Sequence, residues 1–228
     1  MKGQNLDVSF NRENAVSYDN QRAKLASIKD TLHLFMRMIL ADLPVDARVL
    51  CVGVGTGSEL IYLAQEFPQW HFTAVEPSLP MLNICRQKAE ESGIASRCVF
   101  HEGYLDSLPD SDHFDAATSI LVSHFIVNLE ERSNFFSGIA TRLRPGALFI
   151  NADLAADMTS PEYQRLLDVW IKLHNYAGMP VNADSFGRSV ALLPKEKVES
   201  IITSSGFDTQ VLFFQNLLIH AWFSKACS

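Results

Sequence analysis

The stretch Val49–Leu60, VLCVGVGTGSEL, decides the fold. An apolar run typical of a buried strand leads into three glycines at alternate positions, Gly53, Gly55 and Gly57, and a helical pattern begins at Ser58. A glycine turn between a strand and a helix brings backbone N–H groups and the positive end of the helix beside a ligand. Because glycine has no side chain, that ligand can approach the backbone closely. The pattern predicts a nucleoside ligand at the tip of the first strand.

An acidic residue stands where such a ligand would need one. The next apolar run, His71–Val75, is followed by Glu76, about 20 residues after Gly53. A carboxylate at the tip of the adjacent strand can accept hydrogen bonds from both ribose hydroxyls. Turn and carboxylate together predict an adenosine-type ligand. The alternative, in which the glycines only form a tight turn and Glu76 is a solvated loop residue, stays open.

Short apolar runs and helical patterns alternate along the first two thirds of the chain. The apolar residues of Gln21–Leu43 recur every three or four positions, which predicts an amphipathic helix ahead of the first strand. Strands that alternate with helices in this way are typical of a parallel sheet with helices on both faces. The predicted strands are 48–52, 71–75, 98–101, 114–119 and 147–152, and the predicted helices between them are 58–67, 79–91 and 129–143.

The C-terminal part of the chain does not continue the alternation of single strands and helices. A helical segment, Glu162–Ala177, and a short helix near Lys195–Ser204 lead to two apolar runs, Gln210–Phe214 and Leu217–Phe223. Too few residues separate these runs for a crossover helix, so they must pair as an antiparallel hairpin. We therefore expect one α/β domain over residues 1–228, a doubly wound sheet that ends in an antiparallel hairpin.

Length and composition restrict the class of protein further. With 228 residues, 47% hydrophobic and 20% charged, the chain can bury one sizeable core. It has neither an apolar run of about 20 residues nor a signal-peptide core, so we expect a cytoplasmic protein with no membrane partner. A net charge of −7 disfavours nucleic acid and favours a small-molecule partner, while a homodimer stays open. The cysteines and histidines lack metal-ligand spacing, so we expect no metal.

Four segments carry a family resemblance: VLCVGVGTG (49–57), AVEPSLPMLNICRQKA (74–89), FDAATSILVSHFI (114–126) and LRPGALFI (143–150). In this order along the chain, they resemble the successive motifs of class I S-adenosylmethionine-dependent methyltransferases. The resemblance extends from about Tyr18 to the C-terminus. It implies S-adenosylmethionine as the cofactor and a Rossmann-like sheet of seven strands whose last strand is antiparallel, which agrees with the hairpin. A dinucleotide dehydrogenase would need a second nucleotide half where this chain has the hairpin.

The resemblance assigns roles to residues at the tips of the first two strands. It implies that Gly53, Gly55 and Gly57 contact the methionine part of the cofactor and that Glu76 binds the ribose. The sequence departs from the family pattern at Cys51, where many members carry an aspartate.

The adenine contact is implied at the turn Gly103–Leu105, which would bring Tyr104 and Leu105 against the ring. Many members have an aspartate where this chain has Tyr104, so backbone groups or Asp106 are alternative contacts. Ser119, at the end of the fourth strand, is also counted among the cofactor-binding residues.

Methyl transfer from a sulfonium is an in-line displacement that can proceed by alignment and exclusion of water, so a general base is optional. If the acceptor is a hydroxyl or an amine, the candidate catalytic residue is His124, because imidazole titrates near working pH. His124 follows the fourth strand, where the active site of the family opens. The alternative is a histidine that only packs in the core.

Two segments, 1–24 and 153–190, are predicted to cover the site. In the first, Tyr18 and Arg22 could reach the methionine carboxylate, since arginine suits bidentate binding. In the second, Trp170 belongs to an apolar stripe at helical spacing and is a candidate substrate contact. An exposed N-terminal arm and an ordinary core helix are the alternatives.

Two other functions remain open. Short segments resemble the carboxy-S-adenosylmethionine synthase branch, which is tied to wobble-uridine modification of transfer RNA: SYDN (17–20), GRS (187–189) and GFDTQVLFFQN (206–216). There an arginine holds the additional carboxylate of the cofactor, and Arg188 is the matching position, counted here as substrate-binding. The other alternative is a protein that binds S-adenosylmethionine without catalysis.

Overall fold

The structure is a computed structural model, and it describes residues 23–227. The described residues fall into two compact units, one that ends at Asp110 and one that begins at Ser111, which are described in turn. The prediction of a single domain over residues 1–228 stays a prediction.

The first unit contains three parallel strands. Strand β2 pairs with β1 on one side and with β3 on the other, with Cys51 opposite Ala74 and Glu76 opposite Glu102. Helices follow β1 and β2, as the alternating pattern predicts. The elements are α1 (Ala26–Leu40), β1 (Arg48–Val52), α2 (Ser58–Glu66), β2 (His71–Glu76), α3 (Leu79–Glu91) and β3 (Cys98–Glu102).

Burial explains why these residues form these elements. The side chains of β1 from Val49 to Val52 are all buried, as expected of a parallel strand covered on both faces. Helix α1 buries Leu32, Met36 and Leu40, one helical turn apart, which is the amphipathic pattern of the sequence. The helix ends at Leu40, three residues earlier than predicted. Pro44 follows closely, and a proline disfavours helical backbone in the residue before it.

The second unit contains the other four strands. Strand β4 runs parallel to β5, β5 pairs antiparallel with β7, and β7 pairs antiparallel with β6. The elements are β4 (Phe114–Ile120), α4 (Leu129–Ala140), β5 (Leu143–Leu154), α5 (Tyr163–Ala177), α6 (Lys195–Ser204), β6 (Val211–Asn216) and β7 (Ile219–Lys225).

The strands confirm the predicted fold class. They form a seven-stranded sheet in the order β3-β2-β1-β4-β5-β7-β6, an α/β Rossmann-like arrangement with an antiparallel C-terminal hairpin. The hairpin turns at Leu217 and Leu218, between Asn216 and its partner Ile219. None of the helices within residues 23–227 is long and apolar enough to cross a membrane.

Strand β5 is longer than the sequence predicts. It was expected over 147–152, but it pairs with β7 as far as Leu154, which lies opposite Ile219. The extension keeps Asp153 inside the strand, opposite His220, and this carboxylate is fully buried. A charged residue at the buried end of a strand needs partners, and these belong to the candidate site.

Candidate functional site

The glycine turn after β1 adopts left-handed backbone conformations. The φ angles are +56° at Gly55 and +82° at Gly57, which side chains other than that of glycine rarely tolerate. A Cβ atom added to Gly55 would meet nothing within 4 Å, whereas one on Gly57 would lie 2.5 Å from Cys85 Sγ. Gly57 therefore allows α2 to pack close to α3, and Gly55 borders open space.

The N–H groups of the three glycines all donate within the protein. Gly53 donates to the Val75 carbonyl at 2.8 Å, and Gly57 donates to the Val54 carbonyl at 2.9 Å. Gly55 donates to the Glu76 side chain. Because these three N–H groups already have acceptors, the turn does not offer them to a ligand. What it offers is the open space beside Gly55.

Glu76 joins the tip of β2 to the glycine turn. Its Oε2 accepts from the Gly55 N–H and its Oε1 accepts from the Ser78 N–H, each at 2.9 Å. Burial raises the pKa of Glu76, and the two backbone hydrogen bonds act against that rise. An ionised carboxylate has about four lone-pair sites, so each oxygen can accept one more hydrogen bond. Open space at Gly55 and a carboxylate with acceptor capacity fit the ribose end of an adenosine cofactor.

The turn that follows β3 lies next to Glu76, at the same edge of the sheet. The Gly103 N–H donates to the Glu76 backbone carbonyl at 3.1 Å. Beyond it, Tyr104 is 48% exposed, Leu105 is buried, and Asp106 is exposed. The structure thus brings the predicted adenine turn to the predicted ribose carboxylate, and the Tyr104 ring is available at the surface.

A second buried carboxylate, which the sequence analysis missed, lies in the first turn of α2. Glu59 is buried, and this burial raises its pKa to about 7, against the hydrogen bond of its own backbone. The negative charge of Glu76 raises that pKa further. The sequence does show an acidic residue just after the glycine turn, which could have drawn attention to Glu59. Its burial depends on tertiary packing, which the sequence does not show.

In the second unit, His124 lies in a 3-10 turn, Ser123–Phe125, that follows β4. Its side chain is 6% exposed, and its Nδ1 lies 2.6 Å from Asp153 Oδ1. The backbone N–H of His124 donates to the same carboxylate oxygen at 3.0 Å. Asp153 thus fixes both the turn and the ring of the predicted catalytic histidine.

Asp153 is ionised because of the groups around it. Arg132 on α4 donates from Nη2 to Asp153 Oδ2 at 2.5 Å, and the Ser123 hydroxyl donates to the same oxygen. Burial alone would raise the pKa of Asp153, but the hydrogen bond and charge of His124, together with Arg132 and Ser123, hold it below the ordinary value. A hydrogen bond from the ring to an ionised Asp153 requires the proton on His124 Nδ1, which leaves Nε2 as the ring nitrogen outside this contact.

Sequence analysis missed Arg132 and Asp153. Arg132 occupies a core-facing position of α4, one and two turns before the buried Phe136 and Ile139, and that spacing was a usable signal. Asp153 lay one residue beyond the predicted end of its strand, so it was not considered to be buried.

The remaining predicted residues lie in varied surroundings. Ser119 is fully buried, and its hydroxyl has no hydrogen-bond partner among the described residues. Trp170 is 6% exposed in a hydrophobic cluster with Leu167 and Phe186, and its ring centroid lies 4.0 Å from that of His174. Their roles stay predictions.

Three further predicted site residues lie in exposed or undescribed parts of the chain. The predicted carboxylate-binding residue Arg188 is exposed in the loop after Phe186, and its backbone N–H donates to the Ser185 carbonyl at 3.1 Å. Tyr18 and Arg22 lie outside the described residues. Nothing in these surroundings favours a carboxylated cofactor over S-adenosylmethionine itself. No group of three potential metal ligands occurs among residues 23–227.

Residues 49–146, which include the glycine turn, Glu76 and His124, match the family described as "Methyltransferase domain". This match and the similar proteins below support the class I S-adenosylmethionine-dependent methyltransferase superfamily.

Individual relatives are similar over parts of their length. A fatty-acid O-methyltransferase from Mycolicibacterium smegmatis is 31% identical over 53% of this chain and 42% of its own. The biotin biosynthesis bifunctional protein BioHC from Teredinibacter turnerae is 26% identical over 76% of this chain and 30% of its own. The chain therefore spans less than half the length of either relative.

Solved structures support the fold. An O-methyltransferase family protein from Burkholderia thailandensis superposes with a TM-score of 0.63 over 96% of this chain and 64% of its own, at 16% identity. At that identity the likeness concerns the fold alone.

Proposed function

We propose that this chain transfers the methyl group of S-adenosylmethionine to a small-molecule acceptor. The proposal is carried by the contact between Glu76 and the Gly55 N–H, which places a carboxylate with spare acceptor capacity beside open space. Carboxylates at the tip of the second strand bind ribose hydroxyls in nucleotide-binding sheets. The matched methyltransferase family and the names of relatives such as erythromycin 3''-O-methyltransferase support the reaction class.

The residues of the chain would bind and orient the two reactants. S-adenosylmethionine supplies a methyl group on a positively charged sulfur, which an acceptor atom displaces in line. Glu76 would hold the ribose, and the surface at Gly55 would admit the methionine part. Tyr104 and Leu105 would contact the adenine, as the resemblance to the family implies. Ser119, Trp170 and Arg188 are retained as weaker candidates.

His124 is the candidate base for an acceptor that must lose a proton. Asp153 accepts from its Nδ1, so its Nε2 is the nitrogen that would take that proton. A histidine that only packs in the core would have no need of a buried carboxylate on its ring. The Asp153 contact therefore favours the catalytic role.

Calorimetry on folded protein stripped of endogenous ligand tests the proposal. We expect binding heat with both S-adenosylmethionine and S-adenosylhomocysteine. Incubation of labelled methyl donor with fractions of a metabolite extract should then move label into a small molecule. Absence of heat with both ligands would refute the cofactor assignment, and binding without any transfer would favour a noncatalytic binding protein.

We also propose that the protein is cytoplasmic and that segments 1–24 and 153–190 cover the site. A further proposal is that it does not act on nucleic acid, which the net charge of −7 supports. Sedimentation analysis at several concentrations would decide whether the chain forms a homodimer. Mass spectrometry of the retained ligand would detect an additional carboxylate on the cofactor.

A further inference from the structure

The turn after β3 is held by two side chains of the first unit, those of His101 and Ser107. His101 lies on β3, opposite Val75, and Ser107 is the last residue of a short 3-10 helix. The Ser107 Oγ lies 2.9 Å from His101 Nε2 and 2.7 Å from the Tyr104 carbonyl oxygen. The backbone N–H of Ser107 donates to the same carbonyl at 3.0 Å. One serine therefore fixes the Tyr104 carbonyl with two hydrogen bonds.

The direction of each side-chain hydrogen bond follows from the number of protons available. A carbonyl oxygen can only accept, so the Ser107 hydroxyl donates its single proton to Tyr104. The Ser107 oxygen must then accept from His101, which requires a proton on His101 Nε2. We call this arrangement, made by the His101 ring, the Ser107 hydroxyl and the Tyr104 carbonyl, the serine bridge.

Gly103 leaves the space that the serine bridge occupies. Its φ angle is +152°, and an added Cβ atom would lie 2.5 Å from Ser107 Oγ and 3.0 Å from His101 Nε2. The Gly103 N–H donates to the backbone carbonyl of Glu76 at 3.1 Å. The turn is therefore attached to the tip of β2 on one side and to β3 on the other, and a larger residue would not fit between these attachments.

Stability alone is a poor explanation for the serine bridge. His101 is partly exposed and Ser107 is exposed, and hydrogen bonds that water can replace contribute little to the free energy of unfolding. Tyr104 stands at the N-cap position of the 3-10 helix, and its side chain makes no capping hydrogen bond. What the bridge does provide is a fixed backbone at Tyr104, whose half-exposed ring is the proposed adenine contact.

We propose that His101 and Ser107 are positioning residues for the adenine ring of the cofactor. The inference rests on the proposed binding of S-adenosylmethionine and adds these two residues to it. The serine bridge holds the turn in one conformation before a ligand arrives, so Tyr104 and Leu105 lose little conformational freedom on binding. Without the bridge, the ordering of the turn would oppose binding, and ligands that carry the base would bind more weakly.

Two ligands separate the base from the rest of the cofactor. S-adenosylhomocysteine carries adenine, and S-ribosylhomocysteine lacks it. In Ser107→Ala we expect the dissociation constant of S-adenosylhomocysteine, measured by calorimetry, to rise about 2- to 10-fold. The dissociation constant of S-ribosylhomocysteine, measured by NMR titration, should stay the same. An equal loss for both ligands would mean that the whole site has loosened, which would overturn the inference.

Paired variants test the hydrogen bonds with S-adenosylhomocysteine alone. His101→Phe keeps a ring without a donor and should lose as much affinity as Ser107→Ala. His101→Gln keeps an N–H donor and Ser107→Thr keeps the hydroxyl, so both should bind more tightly than His101→Phe. The control is His71→Phe, which changes an exposed histidine at the other end of β2 from Glu76 and should bind like the wild-type protein.

The outcomes separate this inference from the proposed function. If the wild-type protein binds S-adenosylhomocysteine and both Ser107→Ala and His101→Phe bind it equally tightly, the positioning role is wrong and the cofactor assignment stands. If the wild-type protein does not bind S-adenosylhomocysteine, the cofactor assignment fails and the positioning role fails with it.

Discussion

Glu76 makes two internal contacts at the tip of β2, and its proposed binding of the ribose can be measured separately. Internally it accepts from the Gly55 and Ser78 N–H groups, and externally it has lone pairs for a ribose. Its internal contacts link the glycine turn to the tip of β2, and the side of Gly55 where a Cβ would lie borders open space.

Glu76→Ala should weaken the binding of S-adenosylhomocysteine by about 10- to 150-fold, because a charge-assisted contact contributes roughly 1.5–3 kcal/mol. Titration calorimetry measures this directly. Glu90→Gln on the exposed side of α3 is the control and should bind like the wild-type protein. Unchanged affinity in Glu76→Ala would show that the ribose lies elsewhere.

Gly55 and Gly57 should respond differently to alanine. Both have positive φ, which costs an alanine roughly 1–2 kcal/mol. Only at Gly57 would the new Cβ also collide with Cys85 Sγ, which adds roughly 1–3 kcal/mol of overpacking. Urea unfolding should rank Gly57→Ala as the less stable variant, whereas calorimetry should show the larger loss of cofactor binding in Gly55→Ala.

A double variant checks the cause of that instability. Cys85→Ala removes the sulfur that blocks the new Cβ, so it should recover part of the stability lost in Gly57→Ala. Strictly additive losses in the double variant would show that the collision with Cys85 is not responsible.

Helix α2 begins with a carboxylate that is poorly placed to ionise. Burial raises the pKa of Glu59 from 4.5 to about 7, so the folded chain keeps this proton over a pH range in which the unfolded chain has lost it. The free energy of unfolding therefore falls as the pH rises through that range. The total fall from this group is at most about 3 kcal/mol.

Glu59→Gln should remove this pH dependence, because glutamine keeps the shape of the side chain and does not titrate. We expect the variant to be more stable than the wild-type protein at pH 8 and about equally stable near pH 4, as measured by urea unfolding. Parallel curves for Glu59→Gln and the wild-type protein would contradict the assignment.

The elements differ in how well the sequence predicts them. Strand β1 and helix α6 were predicted with their observed bounds, because local apolar runs and helical spacing define them. The sequence did not predict the end of β5, because Asp153 and Leu154 join the strand through pairing with β7, which is distant in the chain. The same nonlocal pairing explains why His124 was proposed without its carboxylate: its partner is 29 residues away in the chain.

For the whole molecule, the sequence was sufficient for the α/β class and for the antiparallel hairpin, because the turn before β7 is too short for any other connection. It was also sufficient to place the glycine turn and Glu76 at the tips of adjacent strands, where the Gly55 N–H donates to the Glu76 carboxylate. The charged cluster around Asp153 could not be predicted. It depends on which buried groups face one another, and periodicity reports only that a position is buried.

Ligand binding should stabilise the folded chain as a whole. At a concentration 100 times its dissociation constant, S-adenosylhomocysteine should add about 2.7 kcal/mol to the free energy of unfolding. For a chain of 228 residues this corresponds to a rise in Tm of about 5–11 °C. Calorimetric scans should show this rise in the wild-type protein and a smaller one in Glu76→Ala at the same ligand concentration. No rise in the wild-type protein would argue against the cofactor.

The Cys85 thiol, which packs against the glycine turn, should be resistant to oxidation in a cell. Burial raises the pKa of Cys85 to about 12, so almost none of it is thiolate at physiological pH, and thiolate is the form that peroxides and electrophiles attack. The sulfur that fixes the spacing of α2 and α3 is therefore protected from oxidation. The packing of the glycine turn against α3 should therefore persist under oxidative stress.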